Sequence, residues 1–222
     1  MITVNQQGRR FLSEATSYHM FGVEMQEANK VTPAIPAFLI TDALGLKRYG
    51  LGLVHPGGKG LAPFLADGYL VRADSLAALA RRLGFDPAVL EATVARFNAS
   101  AVTGVDEDFG RGSTPYQRLQ GDATLGGPNP CLGPIVKAPF YAVRLYPSDT
   151  GAATGLLTDT HARVVDANSI PIDGLYACGN DMHSITAGTY PGPGITLGPA
   201  ITFGYVAARH AAQRSKAQSH KI

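Results

Sequence analysis

With 222 residues, 45% of them apolar and 16% charged, the chain has the make-up of a globular protein with room for one large domain or two small ones and a sizeable core. A formal charge of +2 with scattered basic residues excludes the polycationic surface of a nucleic-acid binder, and no apolar run approaches the roughly 20 residues of a bilayer span, which argues against stable membrane insertion. Two cysteines, Cys131 and Cys178, are too few for a disulfide framework; together with opening residues that lack the apolar core of a signal peptide, they point to a reducing, cytoplasmic setting.

The opening ITVN reads as a strand, followed by a turn at Gly8 and a second short extended segment, and residues 18–30 are expected to be helical. PAFLITDA, residues 36–43, is a short apolar run bounded by Pro36 and Gly45, the pattern of a buried strand, and KRYGLGLVHPGGKG after it reads as loop. YLVRAD predicts another strand. Asp74-Ser75 then opens a helix over LAALARRLG that Gly84 stops, and Asp86 caps a second helix with Pro87 at its first position. From Val105 to Pro139 periodicity fades into Gly, Pro and Asp, as in a long ordered loop, where the DED at 106–108 is expected to be solvated or paired with Arg111. FYAVRLY returns to a strand pattern, LLTD and ARVVD to a hairpin, and GLYACGN to a buried strand ending at Gly179. Apolar periodicity at Ala200, Phe203, Val206, Ala207 and His210 marks one face of a last helix over residues 196–214, and the polar tail is expected to fray.

Chemistry is concentrated in one continuous block from Gly174 to Ala212, GLYACGNDMHSITAGTYPGPGITLGPAITFGYVAARHAA. A strand ending in Gly-Asn and a helix opening after Gly-Pro-Gly present backbone N–H groups to whatever lies between them. The positive end of that helix's dipole, at Ile195–Leu197, suits negative charge by roughly 0.3–1 kcal/mol at an exposed site. The block closely resembles the C-terminal signature of the 3-ketosteroid Δ1-dehydrogenases, FAD-dependent oxidoreductases of the fumarate reductase and succinate dehydrogenase flavoprotein superfamily. TGLLTDTHARVVDANSIPIDGLYACGN and the opening VNQQGRRFLSEATSY agree with that family in order and spacing, and FDPAVLEATVARFNASAVTGVDEDFGRG resembles its substrate-domain helix and following loop.

The resemblance implies FAD as cofactor, with Gly179 and Asn180 along its ribityl chain and the helix start at Gly194, Ile195, Thr196 and Leu197 facing the negative charge of a reduced flavin. It also implies that the Tyr190 hydroxyl and the Gly194 N–H hold the ketone oxygen of a steroid-like substrate, where donors stabilise the enolate left when a neighbouring proton departs. Tyr49, in KRYG, matches the family's proton-removing tyrosine; with an ordinary pKa of about 10, a tyrosine base needs surroundings that favour its anion. The implied reaction is 1,2-dehydrogenation of a 3-ketosteroid-like ketone with hydride transfer to the flavin. No metal is expected, because His19, His55, His161, His183, His210 and His220 form neither HxH nor HExxH.

Two departures from the superfamily qualify this picture. Fumarate reductases use an arginine in the final glycine-rich turn and histidines to hold a dicarboxylate, whereas AGTYPGPG places Tyr190 there and SDTGAATGLLTD has no histidine, which favours a neutral ketone. No GxGxxG turn for the FAD pyrophosphate occurs in the chain, so an N-terminal FAD-binding half or subunit is the expected partner. The expected fold is α+β, becoming α/β when completed. Residues 1–12 are read as an edge segment of the FAD domain, 13–145 as a substrate or cap domain inserted into a Rossmann-like FAD-binding domain, 146–215 as the C-terminal part of that domain, and 216–222 as a tail. Two alternatives stay open: a fumarate-reductase-like flavoprotein with another substrate, or a catalytically silent fragment or accessory subunit that needs a partner chain.

Overall fold

Alternating apolar residues on both sides of the strands at 37–42 and 140–145 need cover on two faces, and the chain supplies it. The computed structural model describes residues 1–149 and 151–219. It divides into one unit of Met1–Thr16 and Met20–Pro147, and a second of Ser17–His19 and Ser148–Ile222.

In chain order the first unit holds β1 (Ile2–Val4), α1 (Tyr18–Val31, from Met20 onward), β2 (Ala37–Asp42), α2 (Ala43–Tyr49), α3 (Ala62–Ala66), β3 (Val71–Ala73), α4 (Leu76–Leu83), α5 (Pro87–Thr103), α6 (Pro115–Leu119) and β4 (Phe140–Leu145). The strands form one antiparallel sheet in the order β1-β2-β4-β3, with Ile40 opposite Ala142 in the central pair. Phe38, Ile40, Phe140 and Ala142 face the helical hairpin α4–α5 through Leu79, Leu90, Val94 and Phe97, while Tyr141 and Val143 face Leu46, Leu51, Val54 and Leu70. A period of two in the strands thus feeds two cores.

The helix signals act as the sequence implies. Ser75 and Asp86 accept from the N–H groups of Ala78 and Ala88, and Gly84 and Gly104 close α4 and α5 in the left-handed conformation at φ 81 and 79. Two expectations, on KRY and on Asp106, are corrected. KRY is not loop but the last turn of α2, because Asp42, 3% exposed, caps that helix through the Gly45 N–H while also accepting from the N–H groups of Val136 and Lys137. Residues 1–12 join the sheet of the first unit, where β1 pairs with β2 and Val4 bridges to Arg10. Asp106 is neither solvated nor paired through the Arg111 side chain: it is buried and takes two hydrogen bonds from Arg10, at 3.0 and 2.9 Å, and Asp108 pairs with Arg96.

Arg10 also donates to Glu14 at 3.0 and 2.8 Å, and Arg111 to Glu14 at 3.0 Å, with both guanidiniums near the Phe97 ring. Two cations and two carboxylates therefore share one enclosed site.

The second unit is smaller: β5 (Arg163–Val165) and β6 (Pro171–Tyr176) pair antiparallel, and α7 (Leu197–Ser219) follows. Its buried apolar residues are Ala162, Val164, Ala177 and Met182, Phe203 of α7 packs on the last three, and Tyr176 ties β6 to α7 through His210 at 2.8 Å. β6, expected to be buried, has exposed or half-buried side chains throughout, since a two-stranded sheet has too little material to cover it. Of the expected tail, residues 216–219 continue α7 and residues 220–222, including His220, lie outside the described residues.

The buried network makes the first unit acid-sensitive. Burial alone raises the Glu14 and Asp106 carboxyls, but the guanidiniums beside them outweigh it: Arg111 and then Arg10 for Glu14, and Arg10 for Asp106. Both end below their ordinary values of 4.5 and 3.8. Folded values below unfolded ones give stability that is complete above the ordinary carboxylate range and is lost as pH falls through the folded values. The thermal midpoint of the first unit, followed by calorimetry from about pH 7 to about pH 3, is expected to hold level at first and fall below about pH 4.5; a midpoint level throughout contradicts the network's contribution.

Candidate functional site

In the second unit, the chain leaves Ala177 as extended backbone and turns at Gly179–Asp181. Gly179 adopts φ +63 and lies so close to α7 that a Cβ there would sit 3.1 Å from the Ala200 Cβ. The segment 153–156 runs beside this turn: the Leu156 N–H donates to the Asp181 carbonyl, and the His183 and Ser184 N–H groups donate to Leu156 and Ala153. Beyond it, Ser184, Thr186 and Thr189 lock the loop that carries Tyr190. Thr186 Oγ1 donates to the Thr189 carbonyl and Thr189 Oγ1 to the Thr186 carbonyl, both at 2.6 Å, across a tight turn at Ala187 and Gly188. Gly194 then takes φ +97, and its carbonyl accepts from the Gly198 N–H at 2.7 Å, starting α7.

These pieces surround a cavity of about 320 Å³. Gly179, Asn180, Ile195, Thr196 and Tyr190 line it, so five of the residues singled out in the sequence come together. Gly194 lines an adjoining cavity with Ile195, and Leu197 is the first residue of α7. Among the described residues the Gly194 N–H and the Tyr190 hydroxyl have no hydrogen-bond partner. None of the described lining residues is Lys or Arg; Asp149 is the one acidic residue among them.

Sequence reasoning missed Tyr18. It begins α1, is 73% exposed, lines the same cavity, and its ring centre lies 5.7 Å from that of Tyr190. The available signal is its place as the last residue of VNQQGRRFLSEATSY.

Tyr49 lies elsewhere, in a cavity of about 710 Å³ built wholly from the first unit. Its hydroxyl donates to Asp122 Oδ2 at 2.5 Å, and Arg48 Nε pairs with the same oxygen at 2.8 Å. Burial and the Asp122 carboxylate push the phenol up to about 12, with Arg48 opposing too weakly to reverse the shift. These surroundings favour the neutral phenol, the opposite of what the expected base role requires. Asp122 itself, held by Thr124 and then Tyr49, falls to about 2.

The flavin requirement can be tested against this geometry. Gly179 leaves no room for a side chain between the turn and α7, nothing lies within 4 Å of where a Cβ on Gly194 would stand, and the first turn of α7 opens beside both. Open backbone at a helix N-terminus fits the electron-rich end of a flavin ring.

The sequence profile of the FAD binding domain family matches residues 1–197. The chain is 42% identical over 96% of its length to a 3-oxosteroid 1-dehydrogenase of Mycobacterium tuberculosis (strain ATCC 25618 / H37Rv), covering 39% of that protein. It is 42% identical over 94% of its length to a 4-oxocyclohexanecarboxylate 2-dehydrogenase of Sinomonas cyclohexanicum, covering 36% of it. The crystal structure of 3-ketosteroid delta1-dehydrogenase from Sterolibacterium denitrificans in complex with 1,4-androstadiene-3,17-dione superimposes with a TM-score of 0.86 at 42% identity, over 96% of this chain and 38% of that one. The chain thus spans about two fifths of the length of these relatives. Among the described residues no helix is long and apolar enough to cross a membrane.

The Tyr49 assignment gives a direct check. In a spectrophotometric titration, the difference between wild type and Tyr49→Phe isolates one phenol, which is expected to ionise at about 12 rather than near the ordinary 10.0. Ionisation of that phenol at or below its ordinary value contradicts the geometry.

Proposed function

Because the chain belongs to the FAD binding domain family, we propose that it supplies the substrate-binding portion and the flavin-facing helix of an FAD-dependent desaturase of ring ketones, 3-oxosteroids foremost. The observation that carries this reading is the pair of phenols, Tyr18 and Tyr190, in a cavity lined also by the start of α7. In this reading residues 13–145 are the cap domain inserted into the FAD-binding domain and residues 146–215 are that domain's C-terminal part. The pyrophosphate site comes from an N-terminal half or a separate subunit.

Both relatives named above are dehydrogenases of oxo compounds, and the cavity's lack of Lys and Arg among its described lining residues suits a neutral ketone better than a dicarboxylate. A dianion here would meet a carboxylate, Asp149, and among the described lining residues only the imidazoles of His19 and His183 could offset it.

Tyr190 and the Gly194 N–H donate to the ketone oxygen. Both donors strengthen as charge develops on that oxygen, so they lower the barrier to proton loss from the adjacent carbon more than they stabilise the bound ketone. Tyr18, ionised to its phenolate, takes that proton and becomes the neutral phenol; its ring centre, 5.7 Å from that of Tyr190, is near enough for both side chains to reach one substrate. Gly179, Asn180 and the N–H groups of Ile195, Thr196 and Leu197 hold and orient the cofactor. FAD, when bound, supplies the acceptor for the hydride that leaves the next carbon. The self-bonded turn at 184–189 keeps Tyr190 from swinging away when the cavity is empty of substrate, which is the preorganisation such donors need.

Anaerobic bleaching of the flavin-loaded protein by a 3-oxosteroid tests these roles. Tyr190→Phe and Tyr18→Phe are each expected to slow bleaching by about 100-fold or more, and Tyr49→Phe to leave it within about threefold. A Tyr49→Phe variant as slow as Tyr190→Phe returns the base role to Tyr49 and overturns the assignment of Tyr18.

A further inference from the structure

We propose that Gly151 is a positioning residue for the Asn180 amide, and that the space it leaves is what lets that amide serve as a ligand in the cavity. The ligand side of the inference rests on the reading that this cavity faces the flavin.

Gly151 and Asn180 both line the cavity. Close approach is what selects glycine at Gly151. A Cβ on Gly151 would stand 2.7 Å from Asn180 Nδ2, 3.4 Å from its Cγ and 3.7 Å from its Oδ1. The two chain segments cannot separate to relieve this contact. They are fixed by the hydrogen bonds from Leu156 N–H to Asp181 at 2.8 Å, His183 N–H to Leu156 at 2.9 Å and Ser184 N–H to Ala153 at 2.9 Å. An added methyl group therefore moves the Asn180 side chain and little else.

Gly155, four residues on, provides the contrast. A Cβ there would meet backbone, the Asp181 carbonyl oxygen at 2.5 Å and the Met182 carbonyl carbon at 2.8 Å, so the same substitution breaks the pairing of the two segments. One glycine holds the segments together and the other leaves an amide free. The Asn180 amide has no hydrogen-bond partner among the described residues, and it carries two donors and an acceptor. That set matches a polyol hydroxyl, which both donates and accepts, and the ribityl chain of a flavin is a polyol.

The test uses the full chain in five forms: wild type, Gly151→Ala, Gly155→Ala, Asn180→Ala and the double variant at Gly151 and Asn180. Two readouts are taken, the side-chain amide resonance of Asn180 in the chain without cofactor and, for the chain paired with a GxGxxG-bearing half, the affinity for FAD from quenching of flavin fluorescence. Gly151→Ala is expected to shift the Asn180 amide resonance while keeping the wild-type melting temperature within a few degrees, whereas Gly155→Ala lowers it. FAD affinity is expected to weaken about 3- to 10-fold in Gly151→Ala, similarly in Asn180→Ala, and no further in the double variant. An Asn180 resonance unmoved by Gly151→Ala overturns the proposal, and so do losses that multiply in the double variant. A shifted resonance together with a stable pair that binds no FAD in any form upholds the positioning of Asn180 and sinks the flavin-facing reading instead.

Discussion

A 23-residue helix laid on a two-stranded hairpin cannot bury its own apolar surface, and the second unit is built under that constraint. Ala162, Val164, Ala177 and Met182 are its buried apolar residues, while Leu197, Ile201 and Tyr205 form a stripe along α7 that is 68%, 70% and 65% exposed. Side chains of this size gain roughly 1.5–3 kcal/mol each when covered. The same helix begins at the turn that sets Gly194 and Ile195, so whatever covers the stripe also steadies the donors of the candidate site. In the proposed function the cover is the FAD-binding half, which links cofactor binding to association of the two parts.

The first unit obeys the opposite regime. Its sheet has a core on each face, and its polar groups are enclosed with their partners: Asp42 with three backbone N–H groups, Glu14 and Asp106 with Arg10. A carboxylate that joins β2, α2 and the segment before β4 specifies the local structure more tightly than apolar packing alone does, because removing it leaves three backbone donors without their acceptor.

Much of this was legible in the residues because local chemistry decides it. Ser75, Asp86 and Gly84 fixed helix ends through side-chain acceptors and a left-handed glycine, and the Gly-Pro-Gly before α7 marked a helix start that the structure reproduces within a residue. The failures have a common physical source, namely long-range partners. KRYG looks like loop by composition, yet Asp42 caps a helix there only because Val136 and Lys137 arrive to share its carboxylate. Tyr49 has the right neighbours in sequence for a base, but Asp122, 73 residues away, turns its hydroxyl into a donor. Tyr18 and Tyr190 meet across more of the chain still, and no periodicity or spacing reports such a meeting.

Flavin absorbance co-migrating with the protein on size exclusion is the most direct measurement of the central claim, taken for the chain alone, for the chain co-expressed with a GxGxxG-bearing half, and for an Ile201→Glu form of that pair. The expected result is flavin retained by the pair, absent from the chain alone and lost with Ile201→Glu. Flavin held in full by the isolated chain, or a stable pair that carries none, contradicts it.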